Sequence, residues 1–388
     1  MTHFSSNIIQ WQRLHGRHDL PWQGRDAYRV WLSEIMLQQT QVSTVIPYYL
    51  RFLESFSSIA LLAAANEEQV LAHWSGLGYY ARGRNLHRAA KIIADQYQGE
   101  FPREFDQILD LPGIGRSTAA AICALAFHQH RAILDGNVKR VLARYCGIEG
   151  WTGNKKIEEQ LWTQAESLLP PPLTGRVGEG VKTLLPNNAT HILAFPLKEG
   201  RNKSGGKNQH EVSSGIATYT QALMDMGATV CTRSKPKCEQ CPVKTDCVAF
   251  ATDRVKHLPT PRPRKAVPER CTTFLLLMHG NDILLEKRAS AGIWGGLWCP
   301  PQIEDGQGVP DDFIQRNGLV VSERHDLAEF THIFTHFKLH ITPVLLRVER
   351  KAVQVQQGGS VWLNVEEALG AAIPAPVRVL LERYCQGA

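Results

Sequence analysis

The chain lacks any stretch that reads as an export or membrane signal. Its first residues, MTHFSSNIIQWQRLHG, have no basic segment followed by an apolar core, so no secretory leader is expected. No apolar run approaches the roughly 18 residues that span a bilayer. The segment from Thr118 to Phe127 falls well short and reads as a core helix. A large charge of one sign is also missing. Lys and Arg total 43 against 37 Asp and Glu, a formal charge of +6. That mild excess permits a polyanionic partner without demanding one. No internal repeat is present, which excludes a solenoid. Nine cysteines with no leader argue for metal or cluster ligation over a disulfide framework. The expected location is therefore cytoplasmic, with no membrane association, and the sequon at Asn188 carries no meaning there.

What is present suits a soluble globular protein: 388 residues, 43% hydrophobic and 21% charged, enough for two or three domains. From Trp11 to about Leu169 apolar residues recur at three and four, as in IIQWQRLH, VWLSEIML, IALLAAANEEQVLAHW and KIIADQY. Glycine and proline punctuate this helical region at GLGYYARGR, LPGIG and LDGN. Residues 175–214 are rich in Pro, Gly, Lys and Asn and read as an insertion or loop. Helical patterning returns at Gly215 to Val230. Residues 256–268, KHLPTPRPRKAVP, form a stiff basic linker. Beyond it the period changes to short β-type runs, CTTFLLLMHG, NDILLEKRA and LHITPVLLRVE, with a helix expected over Val361 to Gly370. The expected fold is multidomain: an all-α domain over 1–255, then an α+β domain over 269–388.

Four features carry chemistry. CTRSKPKCEQCPVKTDC sets Cys231, Cys238, Cys241 and Cys247 within one short loop, residues 231–247. Structural zinc usually uses two close cysteine pairs, and here only one exists. Four cysteines at uneven spacing favour an iron–sulfur cluster, expected as [4Fe–4S]. The cations between them, Arg233, Lys235, Lys237 and Lys244, would face phosphates. LPGIGRSTA (111–119) reads as a tight turn opening a helix. Gly113 and Gly115 are expected at positive φ, giving a phosphate cradle at the helix N-terminus. Asp135 in LDGNVKRVLAR reads either as a helix cap or as a functional carboxylate. Glu34, in WLSEIMLQQTQ, is a lone carboxylate on an apolar helix. Trp31 and Leu37 lie one turn away on either side, and Arg29 is its alternative salt-bridge partner.

The hairpin, the following aspartate and the cysteine loop together resemble the helix–hairpin–helix base-excision glycosylases. Within that group SEIMLQQTQV, GLGYYARGRNL, LDGNVKRV and MDMGATVCTRSKPKCEQCP resemble the MutY-type adenine DNA glycosylases. In the second domain GIWGGLWCPPQ and FTHIFTHFKLHI extend the likeness. The resemblance implies a monomeric, monofunctional enzyme acting on duplex DNA. It would flip adenine mispaired with 8-oxoguanine or guanine and hydrolyse its N-glycosidic bond. It implies Glu34 as general acid, its pKa raised by an apolar wall, and Asp135 as the charge facing the sugar cation. Tyr79 would be the wedge beside the oxidised guanine. Gln38, Gln41 and Arg82 would lie near the lesion, and Glu166 at the adenine edge. The family's Phe-Ser-His turn matches Phe334, Thr335 and His336, with threonine replacing serine.

Two departures refine this. Relatives that cleave the strand carry a lysine where Ser117 stands, so release by water is expected, with Lys139 a minor source of covalent trapping. The second domain is Nudix-like but lacks an acidic REx2EExG helix. Asp311, Asp312 and Glu323 are scattered, so recognition without hydrolysis is expected. His332, His336 and His340 fall on an alternating run and read as strand residues rather than a metal site. The rival readings are an endonuclease III-like bifunctional pyrimidine glycosylase and AP lyase, and a non-catalytic iron–sulfur scaffold that binds DNA.

Overall fold

The computed structural model describes residues 3–172, 215–263, 266–290, 292–304, 310–316, 318–349 and 359–385. The 175–214 insertion therefore lies outside the described residues. The chain divides into two compact units: Met1–Arg17 with His128–Glu149 and Lys155–Pro259, and His18–Phe127 with Gly150–Asn154 and Thr260–Ala388.

The first unit is helical, built on His3–His15, Gly136–Tyr145, Lys155–Ser167 and Gly215–Thr229. Phe4 sets its core, with ring centroids 4.4 Å from Tyr145 and 6.5 Å from Tyr219. Asp225, fully buried, is neutralised by Arg17, whose Nε and Nη2 donate to Oδ1 at 2.8 and 2.7 Å. The Arg17 backbone N–H and the Gln221 amide complete the carboxylate's bonds at 2.8 Å each. A buried charge is tolerated when its lone pairs are filled in this way.

The second unit begins with helices Ala27–Leu37, Val42–Ser55, Ile59–Ala64, Glu67–Trp74, Ala81–Gln96, Phe105–Leu109 and Arg116–Phe127. The helical stretch IALLAAANEEQVLAHW is divided between two helices. Asn66 and Gln69 form a reciprocal capping box, with bonds of 2.8 and 3.0 Å, which starts a new helix at Glu67.

Its remainder is a sheet of eight strands among the described residues: β1 (Glu269–His279), β2 (Asp282–Lys287), β3 (Trp298–Cys299), β4 (Gln302–Glu304), β5 (Val321–Asp326), β6 (Phe330–Ile333), β7 (Lys338–Val348) and β8 (Ser360–Asn364). The main path runs β3-β2-β1-β7-β5, and β1 and β7 are parallel from Glu269↔Lys338 to Met278↔Arg347. Both faces are covered, so Leu275, Leu276 and Leu277 are all buried. That explains the unbroken apolar run in a strand that does not alternate. One face joins Phe274, Leu276, Ile283 and Ile341 to the core that holds Trp31, Met36 and Trp74. The other carries Leu275, Leu277, Leu284 and Leu346. The helix expected over Val361 to Gly370 is half strand. Val361 to Leu363 pair with β2, and the helix starts at Val365, capped by the Asn364 side chain.

Candidate active site

Glu34 lies on helix Ala27–Leu37, which Asp26 caps by accepting the Arg29 N–H at 3.0 Å. Its helix neighbours Trp31, Ile35 and Met36 are buried, and Glu34 itself is half-buried. The Arg29 guanidinium is bonded to Asp26. At the helix end the Gln38 amide donates to the Gly113 carbonyl at 3.3 Å and to Thr118 Oγ1 at 3.5 Å. The end of the helix carrying Glu34 is thereby tied to the hairpin. Gln41 is exposed and opens helix Val42–Ser55.

The hairpin turn has φ +81° at Gly113, and a side chain there would put its Cβ 2.9 Å from Asn85 Cβ. Gly115 corrects the expectation made for it. It is not among the positive-φ residues, and a Cβ would meet nothing within 4 Å. Only Gly113 needs the conformational freedom of glycine. Ser117 sits half-buried in the first turn of helix Arg116–Phe127.

Tyr79 adopts φ +50° in the turn before helix Ala81–Gln96 and is 42% exposed. Arg82, read from sequence as a lesion contact, is buried. Nη1 donates to the carbonyls of Ile35, Met36 and Gln38 at 3.1, 2.7 and 2.6 Å. Nη2 donates to Thr40 Oγ1 and the carbonyls of Leu77 and Gly78 at 3.1, 3.3 and 3.1 Å. The cation lies 5.3 Å from the Tyr79 ring centroid, and burial pushes its pKa down to about 10, still charged at neutral pH. Its geometry is that of a clamp on backbone.

A cleft of about 780 Å³ opens beside this turn, lined by Gln38, Tyr79, Arg84, Trp294 and the β6–β7 turn. Phe334, Thr335 and His336 form that turn, which the Phe334 N–H closes onto the Phe337 carbonyl at 2.9 Å. Phe334 stacks on Phe337 at 4.4 Å, and Thr335 Oγ1 and His336 Nδ1 are 3.4 Å apart. His332, also lining the cleft, has its pKa lowered by burial and is neutral at neutral pH. The histidine run is strand and turn, not helix. His340 lies 3.1 Å from Glu269 and 3.4 Å from Glu329.

In the first unit Asp135 caps helix Gly136–Tyr145, accepting the Val138 N–H at 2.7 Å. Burial raises its carboxyl pKa, opposed by the N–H groups of Val138 and Asn137, by Arg140 and by the Asn137 side chain. Sequence reasoning missed Asn137 and Arg140. Arg140 Nη2 donates to Asn137 Oδ1 at 2.7 Å and Nε to the Cys231 carbonyl at 2.7 Å. Lys139 is bonded to Glu158 at 2.7 Å, and Glu166 is exposed on helix Lys155–Ser167.

The four cysteines are half-buried around one small apolar cavity, with Tyr145, Val243 and Phe250 also in its wall. Burial raises the thiols of Cys238, Cys241 and Cys247, Cys241 to about 11. Arg144 donates to Cys231 Sγ at 3.3 Å and to the Thr232 carbonyl at 2.8 Å. Four thiols with a guanidinium beside them are a donor set fit for an anionic iron–sulfur centre.

Comparison with known proteins agrees with this layout. Residues 32–167 match the HhH-GPD superfamily of base excision DNA repair proteins. Residues 231–247 match the iron–sulfur binding domain of endonuclease III, and residues 272–383 the NUDIX domain. The adenine DNA glycosylase of Buchnera aphidicola subsp. Acyrthosiphon pisum (strain APS) is 34% identical over 98% of this chain and 97% of that protein. The adenine DNA glycosylase of Rattus norvegicus is 30% identical over 99% of this chain and 78% of that protein. Among solved structures, a thermostable thymine-DNA glycosylase aligns with TM-score 0.48 and 26% identity, over 64% of this chain and 95% of that one. Fold and matches define a base-excision repair protein that binds DNA, with a helix–hairpin–helix body, an iron–sulfur loop and a Nudix-type sheet domain. The chain belongs to the adenine DNA glycosylase family. Among the described residues no helix is long and apolar enough to cross a membrane.

Proposed function

We propose that this protein removes adenine mispaired with 8-oxoguanine or guanine from duplex DNA by hydrolysis of the N-glycosidic bond. The observation that carries the reading is the half-buried Glu34, whose helix ends in a bond from Gln38 to the hairpin turn at Gly113. An acid fixed to the element that grips the backbone keeps its position when an extruded base arrives.

A purine is a poor leaving group until one of its nitrogens is protonated. Glu34, half-buried one turn from the buried Trp31, supplies that proton. General acid catalysis provides about 10²–10⁴-fold, short of the 10⁶-fold or more that enzymes typically achieve. The remainder falls to stabilisation of the oxocarbenium-like sugar. Asp135 does this as a carboxylate, kept ionisable by the N–H groups at its helix N-terminus and by Arg140 despite its burial. Tyr79, exposed at the lip of the cleft, fills the gap beside the opposite base, and Thr335 and His336 read that base from the facing wall. Ser117 leaves no amine for a Schiff base at that position, so water takes the sugar carbon. Lys139, held by Glu158, contributes little trapping.

The cluster is of the [4Fe–4S] type, held by Cys231, Cys238, Cys241 and Cys247. All four line one cavity, and their uneven spacing in the chain supports a cluster. When bound, it cross-links the loop and presents the loop's cations to the DNA backbone.

Glu34→Gln keeps the size of the side chain and removes its acid. Single-turnover assays should show adenine release abolished with duplex affinity retained. Wild-type rates in that variant would end the assignment. A thymine-glycol duplex run in parallel tests the pyrimidine alternative, and strand cleavage there would favour it.

A further inference from the structure

We infer that Arg84 is a positioning residue for discrimination of the opposite base, acting through the Gly292–Gly296 loop. The inference rests on the reading of the cleft as the site of that base. Arg84 leaves the same helix that Tyr79 precedes, and its Nη1 donates to the Gly295 carbonyl at 2.5 Å.

That loop is under constraint at two successive residues. Trp294 holds φ +54°, a left-handed conformation unusual for a bulky side chain. A Cβ at Gly295 would fall 2.3 Å from the Ser290 carbonyl oxygen. The constraint delivers the Trp294 ring to the cleft wall, with its centroid 5.5 Å from Phe334 and 5.7 Å from His332. Phe334 begins the turn that presents Thr335 and His336. A continuous line therefore runs from the Tyr79 turn through Arg84, Gly295, Trp294 and Phe334 to the two reading side chains.

A second tie holds the far end of the loop. Glu68 accepts from Trp298 Nε1 and pairs with Lys287 at 3.1 Å. Gly296 lies against the same helix, where a Cβ would be 3.4 Å from Glu67 Oε1 and 3.5 Å from Leu71. With both ends held, the wall carrying Thr335 and His336 keeps a fixed distance from the wedge. The difference between guanine and 8-oxoguanine is a few atoms, and a reader free to drift cannot register it.

The test is a ratio. Full-length holoenzyme is assayed under single turnover on duplexes with adenine opposite 8-oxoguanine and opposite guanine, alongside Arg84→Met, Arg84→Lys and Glu68→Ala. The wild type should prefer 8-oxoguanine. Arg84→Met should lower that preference about tenfold, the loss falling on the 8-oxoguanine duplex. Arg84→Lys, which keeps one donor of similar reach, should restore most of it. Glu68→Ala should lower it in the same direction, and decides the matter if Arg84→Met does not fold. An unchanged ratio in Arg84→Met and Glu68→Ala overturns the inference and leaves the proposed function intact. An equal loss on both duplexes, with the salt dependence of binding reduced by about one counterion, makes Arg84 a phosphate ligand and also overturns it. A wild type that excises adenine without regard to the opposite base overturns the reading of the cleft itself, and the inference with it.

Discussion

Arg82 gives the sharpest test of how the site is held. Its side chain is 8% exposed, and its two Nη atoms serve five carbonyls and one hydroxyl. Replacing it with alanine strips the carbonyls of Ile35, Met36 and Leu77 of this donor where the bond is buried, while those of Gln38 and Gly78 lie nearer water. A buried acceptor left unsatisfied costs about 1–3 kcal/mol. The Ile35 carbonyl keeps the Gln38 N–H at 3.4 Å, so two acceptors are orphaned, and at the middle of that range they give about 4 kcal/mol, before any cavity left by the stem. For a domain of a few hundred residues that is a fall in Tm of about 8–16 °C. Arg82→Lys should recover part of this, because one ammonium cannot reach both groups of acceptors. The assay is thermal or urea unfolding of Arg82→Ala, paired with duplex binding at several salt concentrations. If Arg82→Ala unfolds like the wild type but loses affinity and about one unit of salt slope, the guanidinium is a phosphate ligand and the clamp argument is wrong.

Gly113→Ala should cost about 1–2 kcal/mol from its positive φ alone. The 2.9 Å approach to Asn85 Cβ adds to this. Duplex affinity should drop several-fold without regard to sequence, and titrations showing wild-type affinity would remove the hairpin from the interface. For Asp135, burial raises the carboxyl pKa, so its proton is lost at higher pH than from an ordinary aspartate. The stability contributed by the protonated form is present at acid pH and gone above the folded-state pKa. If the ionised form is the working one, single-turnover rates fall as pH drops through that raised value. Asn137→Ala, which removes one bond opposing the shift, should move this acid limb to higher pH; a limb that stays in place or moves lower denies Asn137 that role.

The parts of the molecule legible in sequence were those set by local chemistry. The apolar period gave the helices, and LPGIG announced the turn. The run FLLLM marked a strand because β-type residues without alternation need cover on both faces. The break inside IALLAAANEEQVLAHW was also local, but its capping box was hidden because ANEEQ continues the helical period. Gly115 misled for a different reason: the left-handed turn needs one glycine, and sequence alone does not say which of two serves. The Trp294 loop was invisible as a wall of the cleft. Its role comes from Arg84 and Phe334, which lie far away along the chain.

Arg82 shows why an arginine is hard to place from sequence, and the reason is general. A motif rich in glycine and arginine beside a DNA-binding element suggests phosphate contact. Yet Gly76, Gly78 and Tyr79 at positive φ break the backbone pattern, and such turns leave carbonyls that cannot bond to each other. The last turn of helix Ala27–Leu37 adds more, along with the negative end of its dipole. A single guanidinium, with five donors and a charge matched to that dipole, satisfies what the backbone cannot. Arg144 repeats the solution in the first unit, donating to the carbonyls of Leu258, Thr232 and Arg233 as well as to Cys231 Sγ. Lysine at either position meets only part of this requirement, because the requirement is for directions as well as charge. Exposed Tyr79 and the cleft it borders are held in shape by a largely buried cation. Function at that surface should therefore fail first through loss of the clamp beneath it.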